Sequence, residues 1–118
     1  MGILPVNQGQ REFPRAPLAE LVRFFDWNEP FDAQATEICG GGLFLQTDRP
    51  LAEGTLLTLR VKLPAGPSFT VLGRVVRTVR GGWAQLRKPG IAVQFMDLSS
   101  NDRRSVLAYV ARHSAQAA

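Results

Sequence analysis

The chain is poor in the residue types on which catalysis and metal chemistry most often depend. A single cysteine, Cys39, excludes an internal disulfide and any multi-cysteine metal centre, and it fits a reducing compartment. No activating base neighbours it in sequence, so the thiol reads as a small, part-buried filler rather than a nucleophile. The single histidine, His113, falls in the last turn of a terminal helix, far along the chain from Cys39, and a Cys/His catalytic pair is not expected. Paired carboxylates at useful spacing are missing, as is a GxxxxGK[ST] phosphate loop, which makes an enzyme the least favoured class. Apolar runs stay well short of the roughly 20 residues of a membrane span, and MGILPVNQGQ is too short and too polar for a signal peptide. A cytoplasmic protein without membrane contact is the expectation.

Lysine is scarce too: of the fourteen basic residues only Lys62 and Lys88 are not arginine, and the net charge is +4. Arginine presents a planar fork of donors that matches phosphate oxygens and the O6/N7 edge of guanine, and it stacks on aromatic planes. A phosphate-bearing or nucleotide partner is favoured over a neutral one, with a solubilising basic surface as the plainer alternative. At 118 residues, with 45% hydrophobic and 20% charged residues, the composition is that of one soluble globular domain with a real core. There is no internal repeat.

Residues 1–10 lack periodicity and read as a flexible lead-in to a domain spanning 11–118. Strands are expected at Pro17–Phe25, Phe31–Ile38, Leu43–Gln46, Thr55–Leu63, Phe69–Arg80 and Gly90–Phe95, with turns between them. Residues 26–30 form the first turn. In Thr55–Leu63 the apolar set Leu57, Leu59, Val61, Leu63 alternates with Thr58, Arg60 and Lys62, the clearest half-buried strand of the chain. Gly73 is expected to mark a bend or bulge in the fifth strand. Six short strands argue for a small antiparallel barrel or sandwich. A helix of about 100–115 follows, capped at Ser99 or Ser100, with Val106, Leu107, Tyr109, Val110 and Ala111 forming its apolar face.

Between the second and third strands lies TEICGGGLFLQT, residues 36–47. Three glycines in a row, Gly40 to Gly42, suit a junction that needs positive φ or close approach to the backbone, with a plain hairpin as the bland alternative. Upstream, REFPR places Arg11 and Arg15 four residues apart, with Pro14 holding Phe13 out of helical geometry.

These two phrases resemble the PilZ domain family, whose members bind cyclic di-GMP through RxxxR near the N-terminus and [D/N]xSxxG at a strand junction. Arg11-Glu12-Phe13-Pro14-Arg15 matches the first motif in full. Glu37-Ile38-Cys39-Gly40-Gly41-Gly42 keeps the final glycine of the second but has glutamate for Asp/Asn and cysteine for serine. GGLFLQTDRPLAEGT, VLGRVVRT and GIAVQF resemble the family's successive strand phrases, so the likeness covers about residues 11–97.

The resemblance implies an all-β, six-stranded antiparallel PilZ-like β-barrel with a C-terminal α-helix, and no cofactor beyond the ligand cyclic di-GMP. It assigns ligand binding to Arg11, Arg15, Glu37, Cys39 and Gly42. The arginines take guanine edges or faces, the acidic residue accepts guanine N–H donors, the Cys39 position meets phosphate, and Gly42 lets the backbone come close. The extra methylene of Glu37 and the weak donor of Cys39 imply weaker binding than a full motif gives. Trp83 is expected at the rim of the site or in packing. A receptor or adaptor that changes conformation on nucleotide binding and signals through a protein partner is the leading expectation, as a monomer or homodimer. The alternative is a PilZ-like protein-interaction module that has lost nucleotide binding. Nucleic acid ranks third, because Phe13, Phe24, Phe44 and Phe69 read as core rather than as a stacking platform.

Overall fold

The computed structural model describes residues 14–49, 51–80 and 88–114. The lead-in, Arg11, Phe13 and Trp83 lie outside the described residues. Alternating side chains bury one face of each strand, and the chain folds into β1 (Arg15–Asp26), β2 (Glu29–Cys39), β3 (Gly42–Gln46), β4 (Leu56–Lys62), β5 (Ser68–Val79) and β6 (Gly90–Phe95). Every pairing is antiparallel. The order β1-β2-β3-β6-β5-β4 closes through β4 and β1, where Arg23 faces Arg60 and Phe25 faces Thr58. Closure leaves no open sheet edge to template pairing with another chain, so the barrel is the outcome of the two all-β architectures expected.

Inside it, Val22, Phe24, Ile38, Leu45, Leu59, Val61, Val75 and Ile91 are fully shielded from water, and among the described residues no polar or charged residue is buried. Each such side chain contributes about 1.5–3 kcal/mol by leaving water. On the outside, Arg23 of β1 holds Asp32 of β2 with both ends of its fork, Nε to Oδ1 at 2.8 Å and Nη2 to Oδ2 at 3.0 Å. That hydrogen-bonded pair draws the Asp32 carboxyl below its ordinary pKa and raises the pKa of the Arg23 guanidinium.

Two expectations need correction. The first turn is tighter than residues 26–30: β1 and β2 run on until only Trp27 and Asn28 are left between them, and Trp27 carries φ 68 while standing 92% exposed. The favoured two-residue hairpin turns carry positive φ, and here a tryptophan rather than a glycine supplies it. The irregularity in β5 does not fall at Gly73. The register shifts between Val75 and Arg77, so the bulge is at Val76, while Gly73 faces inward because a Cβ there would lie 2.5 Å from Val93 Cγ1. Two more shifts fall between Pro17 and Glu20 and between Ala35 and Glu37.

The helix, α1 (Ser100–His113), begins as its capping residue requires, with Ser99 Oγ accepting the Asp102 N–H at 3.1 Å. It packs on β1 and β2 along a stripe narrower than expected: Val106 and Val110 are buried, whereas Leu107 and Ala111 face water. The Tyr109 hydroxyl donates to the Pro17 carbonyl at 2.8 Å. Among the described residues no helix is long and apolar enough to cross a membrane.

Candidate functional site

Strand register gathers residues that the sequence holds far apart. Arg15 on β1 sits opposite Cys39 on β2, and Pro17 sits opposite Glu37. Cys39 in turn faces Gly42 on β3, and Glu37 faces Phe44. Four of the five expected ligand residues, Arg15, Glu37, Cys39 and Gly42, therefore meet on one stretch of barrel wall; Arg11 lies outside the described residues. The bulge between Ala35 and Glu37 matters here, because the extra residue changes the phase of alternation and turns Glu37 and Cys39 away from the core while Ile38 enters it.

Arg15 Nη1 lies 3.3 Å from Glu37 Oε1, with the two side chains 47% and 44% exposed. An ion pair this wet is worth about 0–1 kcal/mol, so an incoming phosphate or guanine acceptor displaces the carboxylate at little cost. Cys39 is free and half-buried beside them.

The three glycines of the run sit in three different surroundings, and none has positive φ; among the described glycines only Gly54 has it. A Cβ on Gly42 would stand 2.1 Å from the Val93 carbonyl oxygen, so its constraint is the close passage of β6. Gly40 lies beneath the helix, where a Cβ would touch Leu107 Cδ2 at 3.0 Å, and Gly41 has nothing within 4 Å. Phe44 is also corrected: Leu43 and Leu45 take the core, and Phe44 lies half-exposed on the outer wall with its ring across Gly90. Phe24 and Phe69 are core, as expected.

The same two rows continue past β3. Gly42 faces Gln94 of β6, which faces Arg74 of β5; Phe44 faces Ala92, which faces Arg77. No reading of the two motifs finds these residues. The only trace in sequence is VLGRVVRT, where two arginines stand three apart in a strand, a spacing that shares a face only if a bulge intervenes. At the far end of the barrel a recess of about 720 Å³ is lined by Arg49, Arg80, Asp48 and Glu53 among others, a mixture of both signs that offers neither anion nor cation a net field. The Arg49 guanidinium is spent there on the Phe31 ring at 3.6 Å and on Asp26 at 3.6 Å.

Among the described residues, a closed β-barrel with a helix laid on its first two strands carries the polar ledge as an open surface on its outer wall. The chain belongs to the PilZ domain family: the family model described as PilZ domain matches residues 9–112. Structural similarity agrees. The Bacillus subtilis inhibitor of motility MotI/DgrA superposes with a TM-score of 0.75 at 19% identity, over 86% of this chain and 50% of that one. The K. pneumonia MrkH–c-di-GMP complex gives 0.70 at 21% identity, over 86% and 51%. The PilZ domain of YcgR from Escherichia coli, with c-di-GMP, gives 0.66 at 16% identity, over 92% and 94%. This chain thus spans about half the length of MotI/DgrA and MrkH and nearly all of the YcgR domain. No curated protein matches it in sequence. Two of these structures, MrkH and the YcgR PilZ domain, hold c-di-GMP.

Proposed function

We propose that this chain is a cytoplasmic cyclic di-GMP receptor that signals through a protein partner. The observation that carries the reading is the Arg15–Glu37 contact, which unites the RxxxR phrase with the degenerate [D/N]xSxxG phrase across 22 residues of sequence, on a ledge that also holds Cys39 and Gly42. The chemistry suits the ligand. Arg15, freed from Glu37, offers its fork to a phosphate oxygen pair or to guanine O6 and N7, and Arg11 supplies the second fork of the motif. Glu37 accepts guanine N–H groups once its partner has turned to the ligand. Cys39 donates only weakly to phosphate, which lowers affinity without removing the site. Gly42 lets β6 pass close and so keeps the floor between the two phrases flat.

Isothermal titration with cyclic di-GMP on wild type and Arg15→Ala tests this. Saturable binding in the wild type that falls by about tenfold or more in the variant supports the receptor, since a hydrogen bond to a charged group is worth about 1.5–3 kcal/mol. Silence in both proteins favours the second reading, a PilZ module that works through protein contacts alone. One observation supports that rival: the Arg15 fork already has a carboxylate of its own chain to bind.

A further inference from the structure

Arg74 and Arg77 on β5 stand out on three counts. They lie on the two rows that cross the ledge, Arg15–Cys39–Gly42–Gln94–Arg74 and Pro17–Glu37–Phe44–Ala92–Arg77. In both rows the cation of β5 is two strands beyond β3; at the usual interstrand spacing Arg15 and Arg74 are each about 10 Å from Gly42 along its row, and Arg77 is about 10 Å from Phe44 along the other. Arginines therefore flank the glycine on both sides. The ground between is low: Gly42 has no side chain, Ala92 has a methyl, and Phe44 lies down over Gly90.

The bulge at Val76 gives the second count. Residues three apart in a regular strand point to opposite faces, and Arg77 would then enter the core. The additional residue turns it outward, so Arg74 and Arg77 are both exposed on one wall. Bulges of this kind re-aim side chains beside functional sites. Third, neither guanidinium is paired with an acid among the described residues, unlike Arg15 on the same rows, so both forks are open to a ligand. Two unpaired cations side by side repel each other, and an anion placed between them relieves the repulsion.

We propose that Arg74 and Arg77 form a second cationic arm of the ligand site, gripping the half of a cyclic dinucleotide that Arg15 does not reach, with Gln94 beneath the ligand between the arms. This rests on the receptor reading above and extends it to a ligand whose two phosphates and two purines need cations on both sides of the ledge. Phosphate oxygens or the O6/N7 edge of guanine are the groups the arm takes.

Calorimetric titration of cyclic di-GMP into the full chain decides it, comparing wild type, Arg74→Ala/Arg77→Ala, Arg15→Ala and Arg60→Ala. Arg60 is an exposed arginine on the far wall of the barrel, opposite Arg23 and Thr70, and serves as the charge control. The double variant is expected to bind about tenfold or more weakly with an unchanged melting temperature, and Arg60→Ala to bind within about twofold of wild type. Equal weakening by Arg60→Ala overturns the arm, because the effect is then one of net charge. Wild-type affinity in the double variant, with binding lost in Arg15→Ala, overturns the arm alone and leaves the receptor standing. No heat from the wild type overturns both. If the double variant is weak, Arg74→Lys/Arg77→Lys identifies the group held: a point charge restores a phosphate contact but not a forked contact to guanine.

Discussion

The three consecutive glycines should respond to alanine in three different ways, because the space above each differs. At Gly42 the new methyl would sit 2.1 Å from the Val93 carbonyl oxygen, 3.0 Å from its carbon and 3.1 Å from Gln94 Cα. These are backbone atoms that cannot swing aside, so β3 and β6 must part by more than an ångström. Forced overpacking of this sort costs about 1–3 kcal/mol. Weakening the neighbouring bond from Phe95 N–H to the Gly41 carbonyl, 2.8 Å long, adds about 0.5–1.5 kcal/mol. Gly42→Ala is thus expected to lose about 3 kcal/mol, a large share of the 5–15 kcal/mol that holds a domain together.

At Gly40 the obstacle is the tip of Leu107, itself 49% exposed, and a rotamer change accommodates the methyl for under about 1 kcal/mol. Gly41 has open space and ordinary φ, so alanine there removes unfolded-state freedom and stabilises by about 0.4–1 kcal/mol. Urea denaturation followed by far-ultraviolet circular dichroism measures all three. Midpoints for Gly42→Ala and Gly41→Ala that agree within about 0.5 kcal/mol would refute the reasoning. The result also governs how binding data are read, since loss of ligand in Gly42→Ala reports the seam between β3 and β6 before it reports any contact with nucleotide.

Two other outcomes follow from the site and the helix. Replacing Glu37 by Asp and Cys39 by Ser restores the full second motif, and calorimetry should find cyclic di-GMP affinity raised by about tenfold, the worth of one well-placed hydrogen bond to charge; unchanged or lower affinity counts against the assigned roles of these residues. Burial, with a smaller contribution from the Glu20 charge, raises the pKa of the only tyrosine, Tyr109. Absorbance titration should therefore show a midpoint above the ordinary tyrosine value of about 10. The stability this proton contributes is complete below that ordinary value and is lost as pH rises through the native one, a loss absent from Tyr109→Phe. A midpoint at or below the ordinary value would contradict the partial burial of Tyr109 against the barrel.

Much of the scaffold could be read from side-chain alternation, since Leu57, Leu59, Val61 and Leu63 point where their spacing says they must. Of the residues in the two motif phrases, Arg15, Glu37, Cys39 and Gly42 come to share a wall. What escaped was everything that depends on a partner strand. A bulge is a mismatch between two strands, so the phase change after Val75 in the sequence was visible but its position was assigned to Gly73, where the missing side chain instead makes room for Val93. Phe44 reads as core alongside the other phenylalanines, yet in a strand Leu43 and Leu45 take the inside and leave it out. The neighbours of β3 are not sequence neighbours: β6 lies between β3 and β5, and no local pattern announces that Arg74 and Arg77 share a wall with Arg15.

The helix touches the barrel beside both motifs: Tyr109 holds the carbonyl of Pro17, two residues after Arg15, and Leu107 overlies Gly40, the residue after Cys39. The last secondary-structure element is thereby stapled to the two places where the ledge begins. On the proposed receptor reading, a protein docked on α1 would bear on the ledge at those same two points, and a bound nucleotide would bear on the helix in return.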